Sequence, residues 1–443
     1  MTYQRTHGAR SVALSAALCG LAASTAEAGP VTLKVALGTP VMLADRPNSA
    51  YLKIGLTGGD QVTKAVPVNL AIVLDRSGSM AGDKIERAKE AAKLLVQRLS
   101  ADDIVSVIAY DSTVAVIVPS TKLTDKANVL ARIDALRPDG STALFAGVST
   151  GLSEVRKFFD QTRVNRVILL SDGQANVGPS SPNELGQLGI YAAKSGISIS
   201  TIGLGLGYNE DLMTALAKRS DGNHDFAERS EDLARIFDVE LKDVLAVVAQ
   251  EVTVKARFPE GITPLRSLNR DAEIRGREVI LSMNQLYARQ EKFLLIEVAV
   301  AASAVGRTSE IANVEVSYAN VAAGGATERL SANATATFSR SIADVERATD
   351  RDVMVAAIEA VATKRNELAL ALRDEGKVKE AEKVLLDNSR ELREAGQRWS
   401  STRLEEYGTT NEVDAKNLAP EGWGQRRKAM RKQQYMNIQQ QYH

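Results

Sequence analysis

Asn69-Leu70-Ala71-Ile72-Val73-Leu74-Asp75-Arg76-Ser77-Gly78-Ser79 runs from an apolar segment straight into one carboxylate and two hydroxyls. A short apolar run bounded by turn residues is the pattern of a strand covered on both faces, as in the middle of a parallel sheet. The turn that follows collects oxygen donors, which suit a hard cation. Downstream, residues 84–99 repeat apolar side chains at helical spacing through Ile85, Ala88, Ala92, Leu95, Val96 and Leu99. Further strands are predicted at 104–110, 166–170 and 197–203, and further helices at 126–136, 143–159, 183–194, 210–218 and 231–245. Alternation of this kind over residues 67–245 predicts an α/β domain with a doubly wound, mainly parallel sheet.

A second carboxylate, Asp172, follows the apolar run 167–170 in the turn Ser171-Asp172-Gly173. Turns at the carboxyl ends of neighbouring parallel strands share one crevice, so Asp75 and Asp172 can converge although distant in sequence. Thr142, in Asp139-Gly140-Ser141-Thr142 ahead of a helix, offers another hydroxyl. Taken alone, the Asp-x-Ser-x-Ser turn also fits local satisfaction of backbone groups. The strand contexts and the distant Thr142 and Asp172 favour a metal site.

Asp75-x-Ser77-x-Ser79, Thr142 and Asp172 together resemble the metal-ion-dependent adhesion site of von Willebrand factor A domains, matched at every position. The resemblance implies a Rossmann-like fold, Ser77 and Ser79 as direct ligands, Thr142 as a switching ligand, and Asp75 and Asp172 as charge-compensating ligands. It implies Mg²⁺ as the ion, with Mn²⁺ or Ca²⁺ as alternatives, and a protein partner presenting an acidic side chain. Residues 201–213, beginning Thr201-Ile202-Gly203-Leu204-Gly205-Leu206-Gly207, are similar to bacterial homologues of calcium-activated chloride channel proteins, a label that implies no channel. Their glycines lie too late in the domain for a dinucleotide loop and read as backbone turns.

Residues 29–66 and 246–340 alternate without helical stretches, which predicts one β-sandwich into which the α/β domain is inserted. Residues 341–398 have helical period broken at Glu375-Gly376 and are expected to form a helical hairpin. Residues 399–443 are polar without a sustained apolar period. With Arg426, Arg427, Lys428, Arg431 and Lys432 clustered, they read as a solvated or disordered extension, for which nucleic acid or acidic lipid is the competing partner.

Arg5 and Arg10, the apolar run 11–23 and Ala26-Glu27-Ala28 have the layout of a signal peptide over residues 1–28, with cleavage expected after Ala28. That cleavage removes Cys19, the single cysteine, so no disulfide is expected in the mature chain. No later segment is apolar enough to span a membrane, and an exported, periplasmic or secreted protein is expected; that it is bacterial is implied by the resemblance to bacterial A-domain proteins. Lys plus Arg and Asp plus Glu each number 55, so no global charge footprint for nucleic acid exists. Apart from His7 and His443, the chain has one histidine, His224, which reads as a surface or turn residue. The expectation is a non-enzymatic metal-dependent adhesion or assembly module. The alternatives are a metal-assisted hydrolase, with Asp172 activating water, or a scaffold acting through the helical hairpin.

Overall fold

A computed structural model describes residues 24–60 and 66–441. Four strands come first: β1 (Ser24–Ala28), β2 (Val31–Leu37), β3 (Val41–Leu43) and β4 (Asn48–Gly58). The α/β region then begins with β5 (Val68–Asp75), α1 (Asp83–Arg98), β6 (Ile104–Tyr110), β7 (Val114–Lys122), α2 (Lys126–Asp134) and α3 (Leu144–Lys157). It continues with β8 (Val164–Ser171), α4 (Pro182–Lys194), β9 (Ser198–Leu204), α5 (Glu210–Arg219), β10 (His224–Ala227) and α6 (Leu233–Leu245).

These strands lie in the order β10-β9-β8-β5-β6-β7, parallel except for the β6–β7 pair. Every residue of β5 is buried, because both faces of the sheet are covered. Leu70, Ile72 and Leu74 point to one face, against Ile85, Ala88 and Leu95 of α1. Ala71 and Val73 point to the other, against Leu144, Val148 and Leu152 of α3. The period-2 alternation of a strand therefore feeds two separate cores. From β5 the chain moves to β6 on one side and returns to β8 on the other, so the crevice at the carboxyl ends of β5 and β8 is a topological switch point.

Seven strands follow: β11 (Val247–Arg257), β12 (Ile262–Ser267), β13 (Glu273–Arg275), β14 (Glu278–Tyr287), β15 (Glu291–Val300), β16 (Thr308–Asn320) and β17 (Ala326–Ser339). They combine with the first four into two sheets, β1-β2-β4-β15-β12 and β13-β14-β11-β16-β17-β3. Leu33, Leu52 and Ile54 from one sheet and Val252, Val254, Val314 and Val316 from the other share a single apolar core. Five helices complete the chain: α7 (Ile342–Ala348), α8 (Arg351–Asp374), α9 (Val378–Trp399), α10 (Thr402–Lys416) and α11 (Trp423–Gln439). No helix among the described residues is long and apolar enough to cross a membrane.

Three expectations are corrected. Ser24–Ala28, read as the end of a leader peptide, form β1 and pair antiparallel with β2 from Ser24↔Val35 to Ala28↔Val31. Cleavage after Ala28 would strip this strand and leave the backbone groups of β2 unpaired along that edge; residues 1–23 lie outside the described part. The supposed disordered tail is helical, and the hairpin of α8 and α9 is extended by α10 and α11. Its charges are neutralised, Arg426 by Asp414 within the tail itself and the others by partners farther away in sequence: Arg427 by Glu210, Asp211 and Asp374, Arg431 by Asp211, and Lys432 by Asp225. Lastly, His224 is fully buried on β10, where Tyr435 of α11 covers it with ring centroids 5.6 Å apart.

Candidate metal centre

Asp75 is the last residue of β5, and Asp172 directly follows β8, the parallel neighbour of β5. Strand pairing alone thus sets the two carboxylates side by side. Beyond Asp75 the chain turns sharply: the Ser77 backbone N–H donates to Asp75 Oδ1 at 2.8 Å, and a short 3₁₀ turn over Gly78–Met80 follows. That turn aims two hydroxyls inward. Ser77 Oγ and Ser79 Oγ lie 3.2 Å apart, and Ser79 Oγ donates to Asp172 Oδ1 at 2.7 Å. Ser79 therefore bridges the two strand-end loops.

The Thr142 loop is tied to the same place through its backbone. Gly78 N–H donates to the Gly140 carbonyl at 3.0 Å, and Thr142 N–H donates to Asn176 Oδ1 at 2.8 Å. A methyl group added at Gly173 would lie 3.1 Å from Thr142 Oγ1 and 3.6 Å from Ser79 Oγ, so all three loops meet there. Asp75, Ser77, Thr142 and Asp172 are buried, whereas Ser79 is exposed at the mouth. The structure thus brings together all five residues singled out from the sequence.

Several neighbouring residues were not singled out. The Ser171 hydroxyl donates to Asp75 Oδ2 at 2.6 Å, and the fully buried Tyr110 hydroxyl donates to the same oxygen at 3.4 Å. Lys84, in the first turn of α1, pairs with Asp172 Oδ2 and donates to the Ser79 carbonyl at 3.3 Å. Arg76 pairs with Asp111 at 2.6 Å and steadies the outer wall. Ser171 sat beside Asp172 in the sequence and carried a readable signal, being a hydroxyl at a strand end. Tyr110 and Lys84 read as ordinary strand and helix residues, and only packing reveals their role.

Burial pushes the Asp75 carboxyl above its ordinary range; hydrogen bonds from Ser171 and Ser77 pull it down, and the charge of Asp172 adds to the rise. Two carboxylates held close in a buried crevice favour a cation between them. The donor set is all oxygen, from carboxylates and neutral hydroxyls, which matches a hard divalent ion. The residues present therefore fit such an ion.

Residues 69–239 match the family described as "von Willebrand factor type A domain". This segment is a von Willebrand factor type A domain. Similar proteins include YfbK, an uncharacterized protein of Escherichia coli strain K12, 29% identical over 221 residues that make up 49% of this chain and 38% of that protein. Calcium-activated chloride channel regulator 1 of Bos taurus is 32% identical over 165 residues, 36% of this chain and 17% of the regulator. This chain thus spans well under half the length of either relative. Among solved structures, a von Willebrand factor type A protein from Catenulispora acidiphila superposes with a TM-score of 0.68 at 16% identity, covering 86% of this chain and 91% of that one. That match extends the shared fold well beyond the A domain itself. Domains of this family typically bind divalent ions at their adhesion site and mediate protein–protein interaction.

Proposed function

We propose that this chain is an exported, non-enzymatic module that binds a protein partner through a divalent ion held by Asp75, Ser77, Ser79, Thr142 and Asp172. Mg²⁺ is the proposed ion, with Mn²⁺ and Ca²⁺ compatible with the same oxygens. The observation that carries the reading is the meeting of Asp75 and Asp172 across adjacent strands with Ser79 bridging them at the mouth. Once bound, the ion would supply an electrophilic position for an acidic side chain of the partner. Two carboxylates balance a divalent charge, while the neutral hydroxyls leave it unquenched. Ser77 and Ser79 orient the oxygens, and Ser171 and Tyr110 hold Asp75 in place from behind.

Hydrolysis is disfavoured because the available bases are committed. Asp75 accepts from Ser77, Ser171 and Tyr110, and Asp172 accepts from Ser79 and Lys84. His224 is sealed under α11. Export rests on the leader-like residues ahead of Ser24.

The test is affinity capture from bacterial envelope extract, run in Mg²⁺, in chelator, and with an Asp75→Ala, Ser77→Ala double variant. A protein retained only by the unaltered chain in Mg²⁺ is the expected result. Capture indifferent to both metal and substitution would overturn the metal bridge, and turnover of an extract component at catalytic protein concentration would overturn the non-enzymatic reading.

A further inference from the structure

Helix α11 lies between the helical bundle and the A domain, and its contacts lead to the metal loops. On the bundle side, Gln434 Nε2 donates to Asn366 Oδ1 at 2.7 Å and Asn437 Nδ2 donates to Thr363 Oγ1 at 3.0 Å, both on α8. On the A-domain side, Lys428 Nζ pairs with Glu210 Oε2 at 2.6 Å, and both side chains are buried. Arg427 pairs with Glu210 and with Asp211 in the first turn of α5, and also with Asp374 at the end of α8. The Tyr435 hydroxyl donates to the Gly222 carbonyl at 2.6 Å.

What these contacts grip is the segment packed against the Asp172 loop. Lys428 Nζ sits 4.7 Å above the ring of Tyr208, which is fully buried. Tyr208 in turn fills the space over Gly203, where even a methyl group would lie 2.3 Å from its ring. Its neighbour Gly207 is pressed so closely on the Asp172 backbone that an added methyl group would meet the Asp172 carbonyl oxygen at 2.7 Å. Gln174 Nε2 donates to the Gly207 carbonyl at 2.7 Å, tying the two loops a second time. A continuous run of contacts therefore leads from α11 through residues 207–211 to Asp172. Close-packed interiors transmit such displacements because they have little room to absorb them.

We propose that Lys428 and Arg427 are positioning residues for the metal site, holding residues 207–211 against the Asp172 loop, so that docking of α11 and metal binding favour each other. The inference rests on Asp75 and Asp172 holding a divalent ion, as argued above. Its consequence is reciprocal: if docked α11 raises metal affinity, bound metal must stabilise docked α11 by the same factor. A partner that pulled on the bundle would then loosen the metal site without touching it.

The experiment uses the full chain and Mg²⁺ alone, with titration calorimetry for affinity and hydrogen exchange of residues 423–439 for docking. Lys428→Glu places two carboxylates where the buried ion pair stands and undocks the helix. It should weaken Mg²⁺ binding about tenfold, within the range usual for coupled sites. Lys428→Arg keeps the charge and should recover most of the affinity. In the unaltered chain, Mg²⁺ should slow exchange in α11, and Asp172→Ala should abolish that slowing. Faster exchange in α11 of Lys428→Glu with unchanged Mg²⁺ affinity would overturn the proposal, as would exchange left unchanged by the substitution. If the unaltered chain takes up no Mg²⁺, the metal reading itself fails.

Discussion

The ammonium of Lys84 rests on Asp172, the residue whose other carboxylate oxygen accepts from the bridging hydroxyl of Ser79. Lys84 projects from α1, and its side chain is partly exposed, so it can withdraw into solvent. A side-chain cation therefore occupies Asp172, and the proposed divalent ion would have to compete with it.

Lys84→Met should consequently bind Mg²⁺ several-fold more tightly, since a partly exposed ion pair is worth up to about 1 kcal/mol. In chelator the same variant should melt below the unaltered chain, because Asp172 loses its counter-charge. Titration calorimetry and thermal melting in parallel check both halves. Equal or weaker Mg²⁺ affinity would show that Lys84 supports the loaded site rather than competing with it.

Metal should stabilise the folded chain by mass action, by about 2.7 kcal/mol at a concentration one hundred times Kd. The urea midpoint should rise with Mg²⁺, and Asp172→Asn should flatten that response. A midpoint that rises equally in the Asp172→Asn chain would locate the binding elsewhere.

Gly207→Ala tests the contact between the α5 entry loop and the metal loop. The added methyl would stand 2.7 Å from the Asp172 carbonyl oxygen, so one of the two loops must move. Overpacking of this kind costs about 1–3 kcal/mol. Mg²⁺ affinity should fall at least tenfold while circular dichroism shows the fold retained.

Acid sensitivity should come in part from His224. Burial, reinforced by the charge of Lys432, pushes its imidazole down to about 3. Its folded value thus lies below the unfolded one, near 6.5. The stability it contributes is whole above that unfolded value. As pH falls toward 3, the unfolded chain takes up a proton that the folded chain refuses, at about 1.4 kcal/mol per pH unit. His224→Phe, among Tyr208, Phe226 and Tyr435, should therefore lessen the decline of the urea midpoint between about pH 6 and pH 4. An unchanged slope would mean that His224 is accessible to protons in the folded chain.

The doubly wound sheet was legible because aliphatic burial leaves a period in the sequence. Leu70, Ile72 and Leu74 serve one core and Ala71 and Val73 the other, so β5 reads as an unbroken apolar run. Donors at strand ends were legible for a related reason: parallel neighbours bring their carboxyl-terminal turns to one crevice, and Asp75 and Asp172 each follow such a run. Tyr110 and Lys84 left no mark of their own, since a tyrosine in a strand and a lysine on a helix are commonplace until their neighbours are known.

Helix α11 shows the opposite case. Apart from Met430 and Ile438, it is buried largely by charges and amides, and their partners Glu210, Asp211 and Asp225 lie roughly two hundred residues earlier. Such burial leaves no apolar period, and from the sequence Lys428 looks solvated although its side chain is almost wholly enclosed. His224 was misread for the same reason, as the residues that seal it arrive from the far end of the chain. Local pattern was thus enough to specify the inner strands β5, β6, β8 and β9, the helices of the α/β region and the oxygen-rich turns, whereas the antiparallel edge strand β7 was not read from it. Which charges are neutralised and which residues brace the metal loops depend on long-range complementarity, and that exists only once the chain has folded.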